Sequence, residues 1–352
     1  MTEPAPPAWA EGELSNVPPA IRDLLHSGAS ATAVLAEFDA IRAPAIYTSI
    51  APVSARLPFR YHAVPAWQRN ALAAMIGRLQ RWRQTSWAAF PRWPLDLSFD
   101  LVSDWLGAPT ITFARTPVLL THDIDSPEGL RNLLAMFLPM EEAAGARSAS
   151  FIVPCAWKVD EALARQILAR GHEIGTHGYD HSNRTPFALP AERDRRLAAG
   201  HAFARQFGGI GYRAPSLLRT QALLQDLAPR FRYDSSIPTS GGPYPVPNNG
   251  CASARPWCMH GVWELPLSMP RDGSLRYLGH SPAEILALWQ HAALRIANAG
   301  GMVCLLTHCE ARFSGNPAML GQYQRLLEWL AADARFEFVL PATLVDRLDG
   351  RA

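Results

Sequence analysis

Two pairs of side chains have the types and spacing needed to hold a metal ion and move a proton. His177 and His181 are four residues apart, and on a helical turn this spacing lets both imidazoles converge on one ion. Asp123 and Asp125 are two residues apart, so on a strand they share a face. Two histidines and one carboxylate are a common ligand set for a catalytic divalent metal, and the second carboxylate can accept a proton.

These pairs lie where predicted strands end. From about residue 115 onward, short β-rich runs alternate with helical segments, which predicts a mostly parallel sheet covered by helices. Eight such runs favour a deformed (β/α) barrel of seven to eight strands, in which reactive groups gather at the carboxyl ends of the strands. The predicted strands are Pro117–Thr121, Ser148–Val153, His172–Thr176, Gly209–Arg213, Arg232–Ser235, Val262–Leu267, Met302–Thr307 and Phe336–Leu340.

The first third of the chain has a different pattern. Residues 1–20 are rich in Pro, Ala and Glu and predict a loose arm, whereas Ala66–Arg83 and Ser98–Leu106 read as helices. We therefore expect an N-terminal arm and helical cap over residues 1–114 and a catalytic barrel over residues 115–352. Six of the eleven tryptophans lie in the cap, and Trp93 is a candidate for stacking on a sugar ring.

Composition narrows the class of protein. The chain has 352 residues and a formal net charge of +2, which argues against a protein built mainly to bind nucleic acid. No run of apolar residues is long enough for a membrane span, and the N-terminus has no secretory pattern. Five cysteines without a CxxC pair predict reduced thiols, so we expect a cytoplasmic protein. The sequence does not indicate an oligomeric state.

The motifs resemble those of the polysaccharide deacetylases of carbohydrate esterase family four, the NodB homology domain, over residues 115–345. The most specific motif is the histidine pair with its lead-in Gly-His-Glu-Ile-Gly at 171–175. Three departures are a spacer residue in Asp123-Ile124-Asp125, glycine at position 178 and serine at position 216. The segments that match the five family motifs are Thr121–Ser126, His177–His181, Arg213–Pro215, Asp234–Ser236 and Leu306–His308.

The resemblance implies a metal-dependent hydrolase that removes an N-acetyl group from a sugar or oligosaccharide and releases acetate. It implies a divalent metal, Zn²⁺ by default with Co²⁺, Mn²⁺, Fe²⁺ and Ni²⁺ as alternatives. The intracellular expectation favours a precursor of a surface polysaccharide as the substrate. The implied metal ligands are Asp125, His177 and His181.

The same resemblance implies roles for the other polar residues at the strand ends. Asp123 is the expected general base and His308 the general acid. Arg213 would orient Asp123, and the backbone N–H near Ser216 would bind the oxyanion. Asp234 would orient His308, with Glu264 as another candidate for that support or for lining the pocket.

The sequence is also compatible with two other functions. The spacing of Asp123 and Asp125 is compatible with an amidohydrolase of the same fold that acts on a non-sugar amide or a cyclic imide. The second alternative is a non-catalytic carbohydrate-binding protein built on an inactive barrel. The presence of an expected base, three metal ligands and an acid argues against it.

Overall fold

The computed structural model describes residues 6–10, 12–57, 64–83, 90–241 and 250–351. Nine strands form one sheet in these residues, and only β6 runs antiparallel to its neighbour. All eight predicted strands are present. The strands are β1 Thr116–Ile124, β2 Ser148–Ile152, β3 Glu173–His177, β4 Gly211–Arg213, β5 Tyr233–Asp234, β6 Trp257–Met259, β7 Val262–Glu264, β8 Val303–His308 and β9 Phe336–Phe338.

The sheet is built around β1. The order is β6-β7-β5-β4-β3-β2-β1-β8, and β9 pairs with the start of β1. All nine residues of β1 are buried, as expected for a parallel strand that has helices on one face and a filled interior on the other. The register places Asp123 beside Phe151 of β2 and His308 of β8.

The sheet is curled, and a segment outside the strands approaches its β8 edge. The segment that follows β7 reaches β8, where Met269 N donates to the Cys304 carbonyl (3.2 Å) and Ser268 Oγ donates to the Met302 carbonyl (2.7 Å). The predicted deformed (β/α) barrel is thus confirmed as a curled, mostly parallel sheet. β6 was not predicted from the sequence, and it forms a hairpin with β7 through His260 and Gly261, both with positive φ.

Helices fill the connections between the strands. Asp160 caps the helix after β2 by accepting from two backbone N–H groups, and Ser281 and Glu284 form the predicted capping box. A π-helical turn, Leu133–Phe137, joins two helices, and single 3₁₀ turns lie at Ala8–Ala10, Leu14–Asn16, Thr185–Phe187 and Pro215–Leu217. The α-helices are α1 Pro19–His26, α2 Ala31–Ile46, α3 Val53–Arg56, α4 Ala66–Arg83, α5 Ser98–Trp105, α6 Pro127–Asn132, α7 Leu138–Ala143, α8 Glu161–Ala169, α9 Pro190–Gln206, α10 Gln221–Leu227, α11 Asp272–Tyr277, α12 Pro282–Asn298, α13 Pro317–Ala332 and α14 Pro341–Leu348.

The N-terminal region is helical and packs on the barrel. Helices α1, α2 and α5 share an apolar cluster around the fully buried side chain of Phe38. Thr48 N donates to the Arg219 carbonyl (2.6 Å), and the carboxylate of Asp100 accepts from Ala254 N (2.8 Å). The division of the chain into a cap of residues 1–114 and a catalytic domain of residues 115–352 remains a prediction.

The expected loose arm is wrong for residues 6–10 and 12–20, whereas residues 1–5 and 11 lie outside the described residues. One of the six tryptophans counted in the cap, Trp87, also lies outside them. Ala10 and Val17 are buried, and the buried carboxylate of Glu13 accepts from Arg295 Nε at 2.8 Å. Prolines and alanines near a terminus therefore do not prevent packing where apolar side chains between them reach a neighbouring helix. In the described residues, no helix combines the length and apolar character needed to cross a membrane.

Candidate metal centre and active site

Asp125, His177 and His181 meet at the carboxyl ends of β1 and β3. Asp125 Oδ1 lies 3.6 Å from His177 Nε2 and 3.6 Å from His181 Nε2. One ligand atom from each of the three residues lies within 4.8 Å of the others. This separation suits three donors that surround one divalent ion.

A tight turn, rather than the helical turn inferred from the spacing, brings the two imidazoles together. β3 ends at His177, and both Gly178 (φ +63°) and His181 (φ +54°) adopt left-handed backbone conformations. A Cβ atom at position 178 would lie 2.4 Å from Pro215 Cδ. Glycine is therefore required at this position by both the backbone angle and the lack of space.

The chemical state of these side chains fits a metal site. His177 Nδ1 lies 3.0 Å from the Arg213 carbonyl, which can only accept, so Nδ1 carries the proton and Nε2 presents a lone pair. Burial lowers the pKa of His177 and favours its neutral form. Burial alone would raise the pKa of Asp125, but the neighbouring cationic groups, His181 first, outweigh it and hold that pKa well below its usual value. Asp125 Oδ1 is buried without a hydrogen-bond partner in the described residues.

Asp123 lies beside this trio and is held by one arginine. Arg213 Nη1 donates to Asp123 Oδ1 (3.0 Å), while Asp123 Oδ2 lies 3.5 Å from His177 Nε2. The guanidinium of Arg213 is completely buried, donates from Nε to the Ser235 carbonyl (2.9 Å) and stacks 4.1 Å from the ring centroid of Phe151. These contacts fix the guanidinium, so Asp123 is held in one orientation near the ligand set.

His308 is paired with Asp272, which the sequence analysis did not identify. His308 Nδ1 lies 2.8 Å from Asp272 Oδ1, and His308 N donates to Asp272 Oδ2 at 2.8 Å. Ser314 Oγ also donates to Asp272 Oδ2 (2.7 Å). Burial opposes a charge on His308, but the carboxylate of Asp272 outweighs it and raises the pKa of His308 to about 10. The imidazole is therefore protonated at neutral pH.

The prediction that Asp234 orients His308 is wrong. Asp234 Oδ1 instead accepts from Ser236 Oγ (2.6 Å), and Asp234 lies opposite Glu264 in the pairing of β5 with β7. Burial raises the pKa of both carboxyl groups, and Glu264 Oε1 accepts from Ile237 N (2.9 Å). Neither carboxyl lines the active-site cavity, so this pair belongs to the sheet interior and does not support the acid.

His122 lies next to Asp123 but on the opposite face of β1, as the alternation along a strand predicts. Its Nε2 lies 2.7 Å from Glu141 Oε1 and its Nδ1 lies 2.8 Å from Thr307 Oγ1. Tyr323 donates to the same carboxylate oxygen of Glu141 (2.7 Å). This buried network ties β1 to the helices outside the sheet.

The three candidate metal ligands open into one cavity of about 870 Å³, together with Asp123 and His308. The barrel forms its floor, and Ser216, in a left-handed conformation (φ +53°), lies on its edge. The N-terminal region forms a wall through residues 47–54, Arg56 and Leu57, and through residues of α4. Trp93 does not line this cavity and packs, partly buried, against the main core, so the proposed stacking role does not fit its position.

Residues 111–207 match the sequence model of the family described as polysaccharide deacetylase. No curated protein sequence is significantly similar to the whole chain. The matched segment contains Asp123, Asp125 and both histidines of the ligand set, whereas Arg213, Asp272 and His308 lie beyond it.

Three solved structures share the fold. A putative polysaccharide deacetylase from Mycobacterium smegmatis has a TM-score of 0.56 at 19% identity, covering 69% of this chain and 94% of that chain. A probable polysaccharide deacetylase from Pseudomonas aeruginosa PAO1 has a TM-score of 0.54 at 13% identity, covering 74% and 100%. The PuuE allantoinase has a TM-score of 0.54 at 14% identity, covering 74% and 99%. At these identities the likeness establishes the fold alone.

Proposed function

We propose that the chain, whose residues 111–207 match the polysaccharide deacetylase family model, is a metal-dependent hydrolase that removes an N-acetyl group from a sugar. The observation that carries this proposal is the meeting of a three-residue ligand set with a carboxylate and a protonated imidazole in one cavity. Amide hydrolysis needs these parts, because water must lose a proton as it attacks and the amine must gain one as it leaves.

Asp125, His177 and His181 are the residues that would hold the metal. A divalent ion bound there supplies Lewis-acid polarisation of the acyl carbonyl and lowers the pKa of water. Two neutral imidazole nitrogens and one carboxylate favour zinc among the common biological metals, with other first-row divalent ions as alternatives.

Asp123 is proposed as the general base. Its Oδ1 is engaged by Arg213 (3.0 Å), whereas its Oδ2 faces the ligand set. The carboxylate can therefore receive a proton on Oδ2 without a change of orientation.

His308 is proposed as the general acid. Asp272 bonds to Nδ1, so the other ring nitrogen, Nε2, is the one that can donate a proton to the leaving amine. The pKa of about 10 means that the imidazole is charged when it is needed, and Asp272 is the positioning residue that keeps it so. The backbone N–H near Ser216 remains the proposed site for the oxyanion.

The proposal is tested by measuring acetate release from N-acetylated monosaccharides and oligosaccharides with protein equilibrated with zinc. We expect release that is abolished by a chelator and restored by a divalent metal. Sugar binding without release of acetate from any of these compounds would contradict the proposal and favour the non-catalytic alternative.

A cyclic-amide hydrolase is the second candidate. The allantoinase shares the fold to the same TM-score, 0.54, as one of the deacetylases, and a spacer residue separates Asp123 from Asp125. Small cyclic amides and ureides assayed beside the acetylated sugars distinguish the two. Ring opening of a cyclic amide at a higher kcat/KM than acetate release would replace the first proposal with the second.

A further inference from the structure

A second cavity of about 430 Å³ adjoins the active-site cavity. We call it the side cavity. It lies between α4 and the segment from α11 to the start of α12. It shares Asn70, Tyr277 and Arg312 with the active-site cavity, and the Tyr277 hydroxyl donates to Asn70 Oδ1 (3.0 Å) across this common wall. The remaining polar or charged side chains that line the side cavity are Arg78, Arg276, His280 and Ser281.

The side cavity is positively charged. Three arginines line it, and among the described residues no carboxylate does. Glu284, which lies near its edge, is already engaged, because its side chain accepts from Arg81 Nη2 (3.2 Å) and from Ser281 N (2.7 Å). Three guanidinium groups around one cavity repel one another unless an anion lies between them.

Buried side-chain nitrogen atoms of residues that line this cavity also lack hydrogen-bond partners. Arg312 Nε is buried and makes no hydrogen bond within the described part of the chain, and His280 Nδ1, also buried without one, lies 3.9 Å from Glu284 Oε2. Arg312 stacks on Phe313, with its guanidinium carbon 4.8 Å from the ring centroid, so its side chain is held at the boundary between the two cavities. Buried donors without partners are costly to leave unpaired. Their presence in a cavity therefore indicates a ligand that accepts hydrogen bonds.

We propose that the side cavity binds an anionic group of the substrate, a phosphate or a carboxylate carried by the sugar. Arginine suits this role, since its planar group donates two parallel hydrogen bonds to either anion. Arg312 lines both cavities, so a sugar in the active-site cavity can extend its anionic substituent past Arg312 towards Arg78 and Arg276. As a statement about substrate class, this inference rests on the proposed hydrolase function, whereas the anion site itself can be tested without turnover.

Binding is measured first, by calorimetry on the full chain with sugars that lack the acetamido group. The probes are glucose 1-phosphate, glucose 6-phosphate, glucuronate and, as the neutral comparison, methyl glucoside. We expect at least one anionic probe to bind about tenfold or more tightly than methyl glucoside, and its affinity to fall with added salt. The phosphate and carboxylate arms identify which anion the site prefers.

The double variant Arg78→Met/Arg276→Met tests where that probe binds. Both side chains are exposed, so their replacement disturbs the core little. We expect the affinity for the preferred anionic probe to fall about tenfold or more. Arg165→Met is the matched control: Arg165 is exposed on α8, outside both cavities, and pairs with Glu161 at 3.8 Å. It should change the affinity less than about twofold.

Turnover separates this inference from the proposed function. With acetylated substrates, the double variant should lower the ratio of kcat/KM for the anionic sugar to that for the neutral sugar about tenfold. If no acetylated sugar is hydrolysed but anionic probes still depend on the two arginines, the anion site stands and the hydrolase proposal fails. If acetate is released and anionic and neutral sugars are bound alike, or if the double variant binds them as the wild type does, the anion site is refuted.

Discussion

In the proposed mechanism Asp123 and His308 have opposite proton-transfer roles, and each is held by one buried partner. Arg213, itself completely buried, holds the base, while Asp272 holds the acid through two hydrogen bonds of 2.8 Å. Both contacts depend on charge as well as geometry. Replacing the carboxylate of Asp123 or that of Asp272 by an amide should therefore change function while the shape of the site is kept.

Asp123→Asn should abolish proton acceptance while the ligand set is retained. We expect kcat for acetate release to fall about 10²- to 10⁴-fold, the usual contribution of a general base, with the bound metal unchanged. Acetate assays paired with metal analysis check this. Asp194→Asn, on the exposed face of α9, is the control and should retain wild-type kcat. A normal rate for Asp123→Asn would refute the role of this residue.

Asp272→Asn should shift the pH profile. In the wild type the pKa of His308 is about 10, so the acid keeps its proton until the pH rises through that value. Without the carboxylate, burial dominates and lowers the pKa, so the alkaline limb of kcat/KM should move to lower pH by about one unit or more. An alkaline limb that stays in place would show that Asp272 has only a structural role.

The sequence reveals some of these residues and hides others for a physical reason. The pairs Asp123 with Asp125 and His177 with His181 are close in the chain, so their spacing is visible. Asp272 and His308 are 36 residues apart and meet only because the segment after β7 curls onto β8. Asp272 does follow a predicted strand in a parallel sheet, and this was the signal that could have suggested it.

At the scale of elements, β1 carries Asp123 and leads directly into Asp125, and contacts on its opposite face fix the strand. Its His122 and the distant Tyr323 both bond to the buried Glu141. The strands themselves were predictable from alternation with helices. By contrast, β6 was not, because three half-exposed residues have no pattern distinct from a loop.

Glu141→Leu should destabilise the fold by about 2–5 kcal/mol, because it leaves His122 and Tyr323 buried without their partner. Burial would raise the pKa of Glu141, but the charge of His122 outweighs it and the pKa is lowered. The stabilisation is thus complete above the pKa of an unfolded glutamate and is lost as the pH falls through the lowered value.

Urea unfolding at pH 7 and at about pH 4 measures this effect. The difference in stability between the wild type and Glu141→Leu should be largest at pH 7 and should narrow in acid. Glu161→Leu, on the exposed surface of α8, should unfold as the wild type does. An equal difference at both pH values would mean that ionisation of Glu141 does not contribute to stability.

The cavity wall formed by residues 47–54, Arg56 and Leu57 should control the access of large substrates to the active-site cavity. Ile50 and Val53 line the cavity and are 73% and 66% exposed, so Ile50→Trp/Val53→Trp should narrow the opening with little effect on stability. We expect KM to rise about three- to tenfold for an acetylated oligosaccharide and less for a monosaccharide. Leu189→Trp, at an exposed site outside the cavity, is the control. A KM equal to that of the wild type for both substrates would show that the substrate does not pass this wall.

At the scale of the whole molecule, the N-terminal region and the barrel share one active-site cavity. Periodicity predicted helices at Ala66–Arg83 and Ser98–Leu106, but not which part of the N-terminal region faces the site. Trp93 was chosen for its residue type, whereas the structure places Tyr47, Ile50 and Val53 at the cavity. Residue type alone cannot reveal this, because the packing of α2 and α4 on the barrel decides it.

Asp125, His177 and His181 should bind one divalent metal ion. The decisive measurement is a crystal structure of the full chain grown with zinc, with data collected at the zinc absorption edge. We expect one anomalous peak bounded by these three side chains, and no peak there in His177→Ala/His181→Ala. Three ordered side chains with no peak between them, or a zinc ion bound elsewhere in the cavity, would contradict this expectation.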